Sequence, residues 1–164
     1  MNRLIPNVSA RLFAVAAAAL LCASPVLASA QDIAVPYWAS MSKDKANVRV
    51  GPGLTYRIAW VYQRKGLPVK VLRTMGGWRL IEDPDGARGW LLSRFLSRTR
   101  TAMVKGDQNA RMLENPDGTG RVLWRAQPGV VGRLGDCEAG WCKIDVGGRK
   151  GWIGQSHVWG VGNP

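Results

Sequence analysis

Six of the eight tryptophans in this 164-residue chain fall into two sets that repeat at a nearly constant spacing. Trp60 is answered by Trp124, Gly77-Trp78 by Gly140-Trp141, and Gly89-Trp90 by Gly151-Trp152, at offsets of 64, 63 and 62 residues. Asn47-Val48-Arg49 is answered by Asn109-Ala110-Arg111 at an offset of 62. Offsets that drift by a residue or two mark a duplicated unit whose turns have changed slightly. Each copy is near the size at which a single apolar core is marginal, so the two are expected to pack closely. Trp38 and Trp159 stand outside the register.

Within each copy the chain is cut into short pieces. Asn47-Val48-Arg49-Val50 alternates polar and apolar residues as a half-buried strand does, and Gly51-Pro52-Gly53 stops it. Ile58-Ala59-Trp60-Val61-Tyr62 has the aromatic and β-branched composition of a second strand. Pro68 to Arg73 alternates again, with proline only at its start. Trp78-Arg79-Leu80-Ile81 and Arg88-Gly89-Trp90-Leu91-Leu92 predict a hairpin about Pro84-Asp85-Gly86. Ser93-Arg94-Phe95 suits one helical turn before a last short strand through Leu96. About five short strands without an amphipathic helix indicate a small all-β barrel, repeated. The expected divisions are an irregular lead-in over 31–44, a first barrel over 45–98, a short connector over 99–106, a second barrel over 107–160 and a tail over 161–164.

Residues 1–30 have the three parts of an export signal: Arg3 and Arg11, the apolar run Leu12 to Leu21, and the small residues Ala28-Ser29-Ala30 before the expected cleavage point. The run is short for a membrane span, and no later stretch is longer, so no transmembrane segment is expected in the mature chain. Cys22 suits lipid attachment poorly, because Leu21 stands where that signal wants a small residue. The expected location is periplasmic or secreted.

Without the leader the net charge is +10, and Lys43 to Arg98 carries +8 of it. Such a field favours anionic partners. Export makes carboxylate- and phosphate-bearing envelope polymers the available ones, and no nucleic-acid partner is expected. A basic surface that only keeps the protein soluble fits the same charge. Two cysteines remain, Cys137 and Cys142. An even count in an exported chain points to a disulfide across Glu138-Ala139-Gly140, which would stabilise the fold by about 2 kcal/mol. Zinc bound by these two and His157 lacks a fourth ligand.

The opening Asn47-Val48-Arg49-Val50-Gly51-Pro52-Gly53, with Gly77-Trp78 before a strand and Gly89-Trp90 near the end, resembles the bacterial SH3 (SH3b) domains of exported proteins. The resemblance covers 45–98 and, more weakly, 107–160. It implies two tandem small SH3-like barrels that bind peptides or cell-wall material. The second copy departs from the pattern: Glu114-Asn115-Pro116-Asp117-Gly118 stands in place of the Gly-Pro-Gly turn, and nothing aromatic answers Tyr56. Binding is therefore expected through the first copy.

No reaction is legible. The single histidine, His157, sits in a terminal turn, both remaining cysteines are better used as a bridge, and Asp83 and Asp85 serve a turn. No catalytic residue, cofactor or metal is expected. The expected ligand-binding residues are Tyr56, Arg57, Trp60, Trp78 and Arg88: aromatic faces stack on sugar or peptide planes, and arginine pairs with carboxylates in a bidentate way. Trp90 and Trp152 are expected in the cores. The expected partner is peptidoglycan or another anionic envelope ligand, or else a peptide of a partner protein.

Overall fold

The computed structural model describes residues 34–164, and the expected leader with its cleavage point lies outside them. The described chain forms two seven-stranded antiparallel sheets. The first consists of β1 (Tyr37–Met41), β2 (Ala46–Arg49), β3 (Ile58–Tyr62), β4 (Pro68–Met75), β5 (Trp78–Glu82), β6 (Arg88–Leu92) and β7 (Leu96–Ser97). The second consists of β8 (Thr101–Val104), β9 (Ala110–Leu113), β10 (Val122–Ala126), β11 (Val131–Glu138), β12 (Trp141–Val146), β13 (Arg149–Gly154) and β14 (Val158–Trp159). A single 3-10 turn, Ser93–Phe95 or Gln155–His157, precedes the last strand of each.

The strand order is β3-β2-β6-β5-β4-β1-β7 in one sheet and β10-β9-β13-β12-β11-β8-β14 in the other, the same order displaced by seven strands. Irregular hydrogen bonds repeat too. Met41 N–H donates to Leu67 O, as Val104 N–H does to Val130 O; Ser42 N–H donates to Phe95 O, as Lys105 N–H does to His157 O. The fold is all-β and duplicated.

Two of the expected segments contain strands. The lead-in 31–44 contains β1, which pairs with β4 and β7, and the connector 99–106 contains β8, which pairs with β11 and β14. Each repeat therefore begins earlier than its sequence pattern shows, and only 98–100 separate β7 from β8. The reason lies in burial. Residues 38–41 of β1 are all buried, because one side faces the core and the other the second barrel. A strand covered on both sides has no polar alternation to read.

Trp38 and Trp159, the unpaired tryptophans, meet at this junction with ring centroids 4.6 Å apart and nearly perpendicular planes. Trp38 Nε1 donates to Gly162 O (3.0 Å), and Arg100 Nη2 to Gly160 O (3.0 Å). Met103 and Val131 of the second barrel pack against the core of the first. Two small cores are thereby joined by an apolar junction.

The cores correspond position by position, and at one place a polar pair has been exchanged for an apolar one. In the first barrel Tyr62, opposite Ala46, donates its hydroxyl to Oδ2 of buried Asp83 (2.7 Å), and Asp83 Oδ1 accepts from the N–H groups of Asp85 and Ala87. Burial, and then that hydrogen bond, push the Tyr62 phenol above its ordinary range. In the second barrel Ala126 takes the place of Tyr62 and Val146 that of Asp83. Gly132 replaces Val69, and a Cβ there would run into Ile144 and Val146. A polar pair has become an apolar one, and room was made for it.

Glycine is equally constrained at Gly89, the inward-facing member of its Gly-Trp pair. A Cβ there would collide with Val48 and come within 2.9 Å of the Trp60 ring. Gly151 holds the same position beside Met112 and Trp124. Gly89→Ala is expected to destabilise the protein by about 1–3 kcal/mol through overpacking. Urea unfolding checks this, and a midpoint equal to wild type would contradict it.

Candidate ligand-binding face

Directly opposed residues in a sheet share a face. Arg49 is opposite both Ile58 and Trp90, Trp90 is opposite Leu80, and Leu80 is opposite Arg73. The next row is Met75, Trp78 and Leu92. Because Val48, Gly89, Ile81 and Leu91 face the core, these two rows lie on the outer face of the first barrel. Trp78, Leu80, Trp90 and Leu92 are half-buried there, while Ile58 and Met75 are 43% and 48% exposed. Trp90 is thus not the core residue expected from its composition, and neither is Trp152, which lies opposite Lys143 with that ammonium 6.0 Å from its ring centroid. The alternation of β6 requires this: with Gly89 and Leu91 inward, Trp90 points out.

The loop 50–57 borders the same face. Its conformation is closed by Val50 N–H to Arg57 O (3.2 Å), by Gly53 N–H to Gly51 O (3.0 Å), and by the Arg49 guanidinium donating to Tyr56 O. The Tyr56 ring lies against bare backbone, since a Cβ on Gly51 would fall 2.5 Å from it. Tyr56 is still 47% exposed, and Leu54 is 70% exposed beside it.

Of the five expected residues, four border or occupy this face and one does not. Tyr56 and Arg57 are on the loop, Trp78 is in the second row, and Arg88 lies two residues before Trp90 on the same side of β6. Arg88 is bound to Glu82 (2.7 Å), so its charge is already paired. Trp60 is opposite Val48 and turned inward, edge-on to Tyr62 and packed against the core. It leaves the set for that reason. Sequence reasoning missed Arg49, Arg73, Leu80 and Trp90 as face residues; the inward glycine at position 89 was the available signal for Trp90.

In the second barrel the loop 114–120 lies against one residue of the corresponding face, Trp141. Asp117 Oδ1 accepts from the Thr119 N–H (2.9 Å) and hydroxyl (2.6 Å), and Asn115 Nδ2 donates to Thr119 Oγ1. The Thr119 hydrogen bonds hold the Asp117 carboxyl below its ordinary range. Gly118, at φ +79°, lies so close to the Trp141 ring that a Cβ would overlap it. Trp141 corresponds to Trp78, so the loop of the second copy touches the tryptophan of that position. Below it, Cys137 and Cys142 are directly opposed and joined by a disulfide. The described chain therefore has no free thiol for Cys–His chemistry.

The bacterial SH3 domain profile matches residues 42–98 and again 106–160. The chain belongs to the bacterial SH3 domain family, in two tandem copies. Its strands β1 and β8 lie just before the matched ranges. Among curated proteins the chain is similar to the "Putative N-acetylmuramoyl-L-alanine amidase YrvJ" of Bacillus subtilis (strain 168), 28% identical over 130 residues. That match spans 73% of this chain and a quarter (25%) of the relative. Solved structures of NlpC2 and NlpC1 from Trichomonas vaginalis align at 12% and 15% identity over 78% and 82% of this chain and 49% of theirs, each with a TM-score of 0.34.

Gly118→Ala is expected to lift the loop 114–120 from Trp141. Left-handed backbone strain and ring overlap together should cost about 1–3 kcal/mol. Acrylamide quenching of tryptophan emission should rise in the folded variant, and unchanged quenching with unchanged stability would contradict that contact.

Proposed function

We propose that this protein is a non-enzymatic envelope-binding module whose first SH3 domain recognises peptidoglycan or a similar anionic ligand. The observation that carries the reading is the outer face of that domain. Two diagonal indoles, Trp78 and Trp90, share it with Leu80 and are bordered by Arg49, Arg57 and Arg73. Among the described residues Arg57 and Arg73 form no ion pair. Indole faces stack on sugar rings and peptide planes, while free guanidinium groups pair with carboxylates. The +8 balance of the first repeat adds long-range attraction for a polyanion. Likeness to part of a protein named as an N-acetylmuramoyl-L-alanine amidase supports a cell-wall setting, and the leader expected over 1–30 supports export to the periplasm or beyond.

A second reading is docking of an extended peptide from a partner protein. It is favoured by β3, which ends the strand order of its sheet, begins at exposed Ile58 and follows exposed Leu54 and Tyr56. An edge strand accepts a further strand through its backbone groups. Cross-linking in the periplasm would return one dominant protein partner under that reading.

Co-sedimentation with purified sacculi at increasing salt tests the first reading. Binding is expected at low salt, weaker binding as salt screens the arginines, and at least about a tenfold loss in Trp78→Ala/Trp90→Ala, roughly the weight of an interface hot-spot residue. Absence of binding at low salt would overturn it.

A further inference from the structure

The second domain carries its own cluster of cations, at positions where the first domain is neutral. Arg111 on β9 and Arg125 on β10 are direct cross-strand partners. Like charges placed directly opposite destabilise a sheet, and neither arginine forms an ion pair among the described residues. Together with Lys105, Asn109 and His157 they line an open concavity of about 450 Å³ in which Asp107 is the single acid. Lys105 is held in place from outside its own domain, its Nζ donating to Pro84 O of the first (3.1 Å).

The duplication supplies an internal control. By strand register, the pair Arg111–Arg125 corresponds to Asn47–Val61, since each pair sits beside the equivalent pairs Ala110–Ala126 and Ala46–Tyr62. By backbone hydrogen bonding, Lys105 and His157 correspond to Ser42 and Phe95. Four positions with no ionisable side chain in one copy thus carry three fixed cations and an imidazole in the other. An opposed arginine pair weakens the sheet, and the same fold does without one at the equivalent place in the first copy.

We infer that this concavity is a phosphate-binding site on the second SH3 domain, separate from the aromatic face of the first. Two guanidinium forks, an ammonium and the Asn109 amide line the one concavity, a donor set that suits a tetrahedral, doubly charged oxyanion better than one planar carboxylate. The ligand class is a phosphate group, borne by a polymer, a soluble ester or a lipid headgroup.

Inorganic phosphate is the probe. Its titration should move the amide NMR signals of Gly106, Asn109 and Ala110 saturably and raise the thermal midpoint, whereas acetate at matched ionic strength should do neither. The double variant Arg111→Asn/Arg125→Val, which installs the residues of the first domain, should lose the response. In phosphate-free buffer it should be at least as stable as wild type, because the opposed charges are gone. Trp78→Ala/Trp90→Ala should keep the response, so failure here is distinguishable from failure of the envelope-binding reading. An equal effect of acetate, a response retained by the double variant, or a double variant less stable without phosphate would each overturn the inference. Where the response is present, capture on phosphatidylglycerol vesicles by wild type but not by the double variant identifies a lipid headgroup. Lack of capture identifies a soluble or polymer-borne phosphate.

Discussion

Both barrels depend on a stretch of bare backbone, at Gly89 in β6 and at Gly151 in β13, where the neighbouring strands come too close for any side chain. In the first barrel Val48 and the Trp60 ring occupy the space a Cβ would need; in the second, Met112 does, with Trp124 beside it. The consequence runs outward as well as inward. Since the glycine faces the core, strand alternation sends the following tryptophan to the opposite face, where Trp90 and Trp152 stand half-buried. The Gly-Trp pair therefore couples packing to surface: one residue permits the barrel to close, and the next supplies an aromatic platform outside it.

From this common frame the two copies have diverged in ways that physical chemistry can follow. The Tyr62–Asp83 hydrogen bond of the first core has become Ala126 and Val146 in the second, and the change of Val69 to glycine at position 132 makes space for the added valine. On the surface, a Gly-Pro-Gly turn cushioned by Tyr56 leaves the first face open, while a self-bonded Asn-Pro-Asp-Gly loop folds over Trp141 in the second. The domains are joined by the two tryptophans that have no counterpart in the other repeat, Trp38 and Trp159. Those residues hold the copies together, so no repeat of them was to be expected.

Much of this was legible from residue order. Recurring tryptophans gave the duplication, short alternating runs the strands, and the cysteine pair its disulfide. The first strand of the first copy was not legible, because Tyr37–Met41 is covered on both sides and lacks the alternation that marks a half-exposed strand; its counterpart Thr101–Val104 alternates in burial but is only four residues long. The orientation of Trp90 was missed because tryptophan size suggests a core, whereas the inward glycine beside it decides the matter. Trp60 was assigned to the ligand face from its neighbourhood in sequence, yet its pairing with Val48 turns it inward. Arg49 showed its use only in three dimensions, where its guanidinium fixes the Tyr56 loop at the edge of the face; the Asn-x-Arg likeness to residues 109–111 is not one of register, since the structure puts Leu113 in the place of Arg49 and Arg111 in that of Asn47.

The central proposal is an asymmetry: the face of the first copy takes the ligand, while in the second the loop 114–120 lies on Trp141. It can be read from the indole N–H signals of the eight tryptophans in a two-dimensional NMR titration with soluble muropeptides. The account predicts that the signals of Trp78 and Trp90 move together and saturate while those of Trp141 and Trp152 stay in place. Equal movement in both repeats, or movement of Trp141 and Trp152 alone, would contradict it.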